Sequence, residues 1–310
     1  MNSKLLVDIT REDQDAYRSD GVVLIKGAFD RSWIAYLQDA WQRIRQLSPE
    51  DTYHLPEDFL AQDPSLREEI LAIRGEHAAS RQLYTEQAEG FVRCKYMHWW
   101  VPEFRRFALE SPAAELIGRV IGATQVRFFL DAIFMKEPAC EARTYWHADQ
   151  PAWPVSGDQV PTLWMPLYPV SAKLSSLEYI AASHRDADRS WPNTFNAKKI
   201  GRPQHRSEFL DWETRRTDPT VRFISYDMRP GDAVILHPAM YHGGGANLHP
   251  TQPRVAVSTR WFGDDVRWDP RPECINIPGI PMDKMERGQP VTQDDILPII
   301  WRDSTSPVTA

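Results

Sequence analysis

The chain reads as a mainly β protein with flanking helices, an α+β arrangement whose strands close into a sandwich or barrel. Three observations point there. Short strand patterns recur from Val126 to Phe262, separated by turn residues such as Pro230-Gly231-Asp232. Helical periodicity is concentrated before them, in the N-terminal part. Twelve tryptophans and 25 prolines in 310 residues fit a loop-rich β protein with an aromatic interior better than a helical bundle.

In chain order, Thr10 is a good N-cap for a short polar helix from Arg11 to Ser19, ended by Gly21. Val22 to Ile25 has the apolar run of a buried strand and closes at Gly27. Ser32 to Leu47 follows as an amphipathic helix, with Trp33, Leu37, Ala40, Trp41 and Ile44 on one stripe. Pro49 to Gly90 is polar and charged, with helical fragments around Leu66 to Ile73, and reads equally as a lid or a surface excursion. Val126 to Lys136 is strongly β in character and ends at Glu137-Pro138. Thr162 to Leu167, Leu177 to Ile180, Val221 to Tyr226, Ala233 to His237 and Val255 to Phe262 continue the strand series. The tail from Ser304 to Ala310 is expected to fray. No repeat, heptad run or low-complexity segment interrupts the chain. We expect one domain over 1–310, with a helical part over about 1–120, a β core over about 121–265 and a C-terminal extension over 266–310.

Charged residues at 25% and hydrophobic residues at 42% are ordinary for a soluble globular protein. A net charge of −7 without a basic cluster argues against a nucleic-acid partner. No apolar run approaches the ~20 residues that cross a bilayer, so no membrane partner is expected. The start reaches Asp8 too soon for a signal-peptide apolar core. Cys94, Cys140 and Cys274 form an odd, widely spaced set without a CxxC pair. A disulfide framework or thiolate zinc site is therefore not expected, and the reducing cytoplasm fits best.

Chemistry concentrates at His147-Ala148-Asp149. On a strand, positions i and i+2 point to one face, which places an imidazole and a carboxylate side by side. Alone, such a pair is a weak signal. His242 lies far downstream in Tyr241-His242-Gly243-Gly244-Gly245, where glycines permit close backbone approach. Two histidines and one carboxylate are the ligand set that holds a non-haem Fe(II) on one octahedral face, with the other positions open. Arg254 starts the last core strand. Its planar fork suits the far carboxylate of a dicarboxylic co-substrate, although a solvated strand-edge arginine is the plainer reading. His237 competes with His242 as a ligand but lacks the glycine context, and His184 has the look of a structural hydrogen-bonding residue. His98-Trp99-Trp100, Trp146, Trp153 and Trp164 can wall a substrate pocket, against the commoner reading as core packing. Asp264-Asp265 reads as a solvated loop rather than a second metal site, and Lys198-Lys199 and Arg215-Arg216 as surface charge.

Residues from about 126 to 265 resemble the phytanoyl-CoA dioxygenase family of Fe(II)/2-oxoglutarate oxygenases, in its small-molecule branch. The stretches carrying the resemblance are Phe134 to Pro138, Trp146 to Gln150, Trp164 to Val170, Ser183-His184-Arg185, Pro230-Gly231-Asp232, His242 to Gly245 and Arg260 to Asp265. The opening from Tyr17 to Gly27 agrees with it as well. The resemblance implies a double-stranded β-helix, a cupin-like jelly roll. It implies Fe(II) ligands at His147, Asp149 and His242, with 2-oxoglutarate and O₂ as co-substrates. It places the co-substrate arginine at Arg254, a pocket tryptophan at Trp164, and a basic residue near 2-oxoglutarate at Arg93 or Lys95. One departure stands out: the glycine usual before the Ser-His-Arg segment is absent, with Ser175-Ser176-Leu177 and Ala181-Ala182-Ser183 in its place. In halogenases of this scaffold a small residue replaces the ligand carboxylate, so Asp149 argues for hydroxylation or another oxidation.

The expected reaction is hydroxylation of an unactivated C–H bond of a small molecule, such as a natural-product intermediate or modified amino acid, with release of succinate and CO₂. Desaturation, epimerisation or ring formation on the same scaffold is the alternative. A non-catalytic jelly-roll binding protein is the alternative from another class. No patch for the phosphates of coenzyme A is apparent, and neither the substrate nor the oligomeric state can be read from the residues.

Overall fold

The computed structural model describes residues 1–45, 90–99, 101–185, 212–271, 274–275, 277 and 279–304. Most of the Pro49 to Gly90 stretch, with its expected helical fragments, and Trp100, Lys198-Lys199 and the last six residues lie outside these.

Helix α1 (Arg11–Asp20) begins at a reciprocal capping box in which the Thr10 hydroxyl and the Asp13 carboxylate satisfy each other's backbone N–H. It ends at Gly21, whose φ of 81° is the left-handed turn that lets the chain reverse into β1 (Val22–Ile25). Helix α2 (Arg31–Arg45) buries the expected stripe of Trp33, Leu37, Ala40, Trp41 and Ile44, joined by Ile34. Strand β2 (Phe91–Lys95) and two short helices, α3 (Pro102–Glu110) and α4 (Ala113–Ile121), complete the N-terminal part.

The β core follows as β3 (Gln125–Lys136), β4 (Thr144–His147), β5 (Val155–Ser156), β6 (Thr162–Pro166) and β7 (Leu177–Ile180). It continues through β8 (Phe223–Ser225), β9 (Ala233–Leu236), β10 (His242–Gly244) and β11 (Arg254–Phe262), then β12 (Arg267–Trp268) and β13 (Ile299–Arg302). The larger antiparallel sheet has the order β1-β9-β6-β11-β3-β13, with β2 also paired to β3. The smaller sheet has the order β4-β10-β7-β8. Trp164, Val234, Leu236 and Ala256 of the larger sheet meet Leu177 and Tyr179 of the smaller in one apolar cluster, so the two sheets face each other as a jelly roll. The opposite face of the larger sheet packs on the helices through a cluster that includes Trp33, Leu37, Phe104, Ile117, Ile133 and Val257.

Two expectations are corrected here. Asp149 is not on a strand: β4 ends at His147, and Asp149 has φ −75° and ψ −41° at the start of a short 3-10 turn through Pro151. A helical turn, not β alternation, brings its carboxylate round. The C-terminal stretch is not merely an extension. Residues 267–268 pair with β5, and β13 adds a strand to the larger sheet beside β3.

Candidate active site

Antiparallel register sets the site. In the pairing of β10 with β4, His242 lies directly opposite His147, and their ring centroids are 4.3 Å apart. The turn after β4 then brings Asp149 Oδ1 to 3.5 Å from His147 Nε2. One donor atom each from His147, Asp149 and His242 lie within 4.8 Å of one another, and no other such group of three occurs among the described residues. His242 Nδ1 faces the Met240 carbonyl at 3.1 Å, which fixes the proton on Nδ1 and leaves Nε2 as the lone-pair donor.

The charge states suit metal binding. Burial, with the His147 ring beside it, lowers the His242 pKa to about 4, so its imidazole is neutral at ordinary pH. Burial alone would raise the Asp149 carboxyl. The nearby Arg260 guanidinium and the two imidazoles outweigh that and hold it well below the usual carboxylate range. The His147 ring, the neutral His242 imidazole and one carboxylate make up the donor set that Fe(II) takes.

The triad lines a cavity of about 230 Å³ between the sheets. Residues on one face of β11 form part of its wall: Arg254, Ser258 and Arg260, at even positions of the alternation. Arg254 is 2% exposed, and its Nε and Nη1 have no hydrogen-bond partner among the described residues. Burial draws its pKa down to about 10, which still leaves it cationic. A buried, charged and unsatisfied guanidinium is costly unless an anion completes it, and the site therefore fits a carboxylated co-substrate. Gly244 makes room for it: a Cβ there would sit 3.4 Å from Arg254 Nη1 and 3.0 Å from Leu177 Cδ2.

The other residues singled out from the sequence divide. Trp164 lines the cavity opposite Ser258, and Arg93, Lys95 and Trp153 line it too. Trp99 does not. The turn holding it is tied to the helical side of β3, where Tyr96 N–H donates to the Asp131 carbonyl and His98 N–H to the Asp131 carboxylate at 3.0 Å. Trp99 stacks there on Tyr96 at 4.6 Å. Trp146 is also absent from the lining, and its Nε1–H donates to Glu213 at 2.9 Å. Trp100 is outside the described residues. His237 packs against His184 and Tyr17, away from the triad, and the His184 ring faces the Arg18 carbonyl at 3.2 Å.

Asp264 and Asp265 are not a bare solvated loop. Asp264 accepts from the N–H groups of Thr124 and Gln125, and Asp265 from those of Asp158 and Gln159. Arg215 and Arg216 pair on the surface with Asp218, Glu178 and Glu213. Two neighbours of Asp149 escaped the sequence reading: Thr162, whose hydroxyl donates to Oδ2 at 3.0 Å, and Arg260, with Nη2 at 3.6 Å from the same oxygen. Only β alternation from Arg254 to Arg260 hinted that the second arginine shares the first one's face.

Among solved structures the chain is similar to the non-heme alpha ketoglutarate dependent epimerase SnoN from nogalamycin biosynthesis, with TM-score 0.63 and 19% identity over 94% of this chain and 98% of that one. It is similar to the carbocyclase SnoK from the same biosynthesis, with TM-score 0.63 and 17% identity over 97% and 100%. EctD from S. alaskensis, solved with 2-oxoglutarate and 5-hydroxyectoine, gives TM-score 0.59 and 17% identity over 96% and 92%. At these identities the likeness speaks for the jelly-roll fold. No curated protein matches the chain. The family model for phytanoyl-CoA dioxygenase, however, matches residues 17–256, from α1 through the first residues of β11, and the chain belongs to that family.

Proposed function

We propose that the chain is an Fe(II)- and 2-oxoglutarate-dependent oxygenase that hydroxylates an unactivated C–H bond of a small molecule. The observation that carries this is the convergence of His147, Asp149 and His242 beside a buried, incompletely paired Arg254. When bound, the iron and its co-substrate supply the oxidising power, with 2-oxoglutarate converted to succinate and CO₂. The chain's own residues do the rest. His147 and His242 present imidazole nitrogens, and Asp149 a charged oxygen. Arg254 grips and orients the far carboxylate, supported by the Trp164 ring and by Arg93 or Lys95. Trp153 and Leu130 supply an apolar wall that keeps water from the reacting carbon.

Asp149 favours an oxygen outcome over halogenation, because a carboxylate fills the place a halide would need. We read the occupant as a small molecule, supported by a cavity of about 230 Å³ and by a sequence without a basic cluster. No helix among the described residues is long and apolar enough to cross a membrane. We read the compartment as the cytoplasm, supported by Cys140 and Cys274 being free thiols. We read one domain, supported by a single core cluster running from Tyr17 to Leu297.

The test is succinate release across a panel of amino acids, carboxylates and natural-product intermediates, with mass spectrometry of the product. A true substrate should stimulate succinate formation and gain one oxygen, and His147→Ala should abolish both. Substrate-stimulated turnover unchanged in His147→Ala would reject the assignment.

A further inference from the structure

We infer that Arg260 and Thr162 are positioning residues for Asp149: they hold its carboxylate by the outer oxygen, Oδ2, so that Oδ1 alone is turned toward the two histidines. This rests on the proposed iron site. Thr162 Oγ1 donates to Oδ2 at 3.0 Å, and Arg260 Nη2 lies 3.6 Å from the same atom. Oδ1 is the atom at 3.5 Å from His147 Nε2. The division of labour between the two oxygens is therefore set by hydroxyl and guanidinium together.

The arrangement comes from register in the sheet opposite the histidines. Arg260 on β11 and Thr162 on β6 are directly paired, so their side chains rise from one face at one level. Asp149 itself sits in a turn leaving the smaller sheet, where a free carboxylate would retain two rotatable bonds. Neither clamp residue is loose. Thr162 is 2% exposed and Arg260 8%. Arg260 Nη1–H also donates to the Ser258 carbonyl at 3.3 Å, and its guanidinium lies 5.9 Å from the centre of the Phe134 ring.

Chemistry gives the clamp a purpose. A carboxylate free to swing can chelate a metal through both oxygens and close a coordination position that co-substrate and O₂ require. An outer oxygen already engaged by a hydroxyl and a cation leaves one oxygen for the metal. A role in packing alone does not account for Arg260. Its Nε has no partner among the described residues, and burying an arginine there costs more than burying a methionine of similar length.

The experiment is anaerobic Fe(II) titration without 2-oxoglutarate on the wild type, Thr162→Val, Arg260→Met and Arg260→Lys, with Co(II) absorption spectra reporting the ligand geometry. Arg260→Met should bind Fe(II) about 10- to 100-fold more weakly, the range for loss of a ligand's outer partner. Thr162→Val, nearly isosteric and therefore expected to fold, should bind more weakly and shift the Co(II) bands. Arg260→Lys should recover part of the loss. Folded Thr162→Val and Arg260→Met with wild-type Fe(II) affinity and Co(II) spectra would overturn the clamp. A wild type that binds neither metal would instead overturn the iron site.

Discussion

Arg254 and Ala182 show how much a single position can reveal. Arg254 is buried with unmade hydrogen bonds, each costing about 1–3 kcal/mol until a partner arrives. Replacing it with methionine should weaken 2-oxoglutarate binding by about 2–4 kcal/mol, a factor of roughly 30 or more, while Fe(II) binding without 2-oxoglutarate stays at its wild-type value. Calorimetry under nitrogen measures both. Lysine at this position should be a poor substitute, because it cannot form the planar two-point pairing. Ala182, just before the Ser-His-Arg segment, adopts φ 62°, a left-handed conformation that favours glycine. Ala182→Gly should therefore stabilise the fold by about 0.5–1 kcal/mol in urea unfolding, the relief of strain exceeding the added chain entropy. The candidate ligands stand out in the sequence because histidine, aspartate and arginine bear donor or cationic groups and sit among telling neighbours. Thr162 and Arg260 were not, since their role depends on which oxygen of Asp149 they meet.

At the level of elements, the long strands and helices α1 and α2 could be read, whereas α3, α4 and the short strands β4 and β10 that build the site could not. The strand β10 consists of His242 and two glycines, a composition that signals a turn rather than a strand. Its pairing with β4 and β7 on both sides makes it one. Likewise, nothing in the sequence around Trp99 says which face of the sheet its turn will cross. Asp131 decides that. Cross-strand neighbours also couple Lys136 to Arg254. Lys136 is fully buried, with Nζ donating to the Gly245 carbonyl at 2.8 Å and lying over the Phe91 ring. Burial, with Arg254 and Arg143 nearby and only Cys140 opposing, pushes its pKa down to about 6. The unfolded lysine keeps its proton to about pH 10.4, so between pH 6 and that value the unfolded chain binds more protons and stability rises with pH. Lys136→Met should remove this contribution. The stability of wild type relative to Lys136→Met should climb with pH from 6 to 10 by at most about 1.4 kcal/mol per unit, as followed by denaturant unfolding. A difference that stays flat over that range would contradict the buried, depressed lysine.

Across the whole molecule, the larger sheet separates two jobs. One face is welded to the helices, and the other, with the smaller sheet, encloses the triad. Rigid strands on both sides are what hold three donor atoms in place before any metal arrives. The C-terminal strand β13 belongs to this support: Trp301 packs over Gly118 of α4, where no Cβ fits. Gly118→Val should destabilise the protein by about 1–3 kcal/mol through overpacking, with Fe(II) affinity unchanged in the folded fraction. Sequence periodicity did not foresee that return of the chain, because a four-residue edge strand far from its partner leaves almost no local signature.

In the proposed site, His147, Asp149 and His242 hold one Fe(II) to which 2-oxoglutarate adds. Its most direct test is an anaerobic difference spectrum as Fe(II) is titrated into protein with 2-oxoglutarate. We expect a visible charge-transfer band that saturates at one iron per chain, requires both additions, and is absent in His147→Ala. A saturating band of equal strength in His147→Ala, or no band in the wild type, would contradict it.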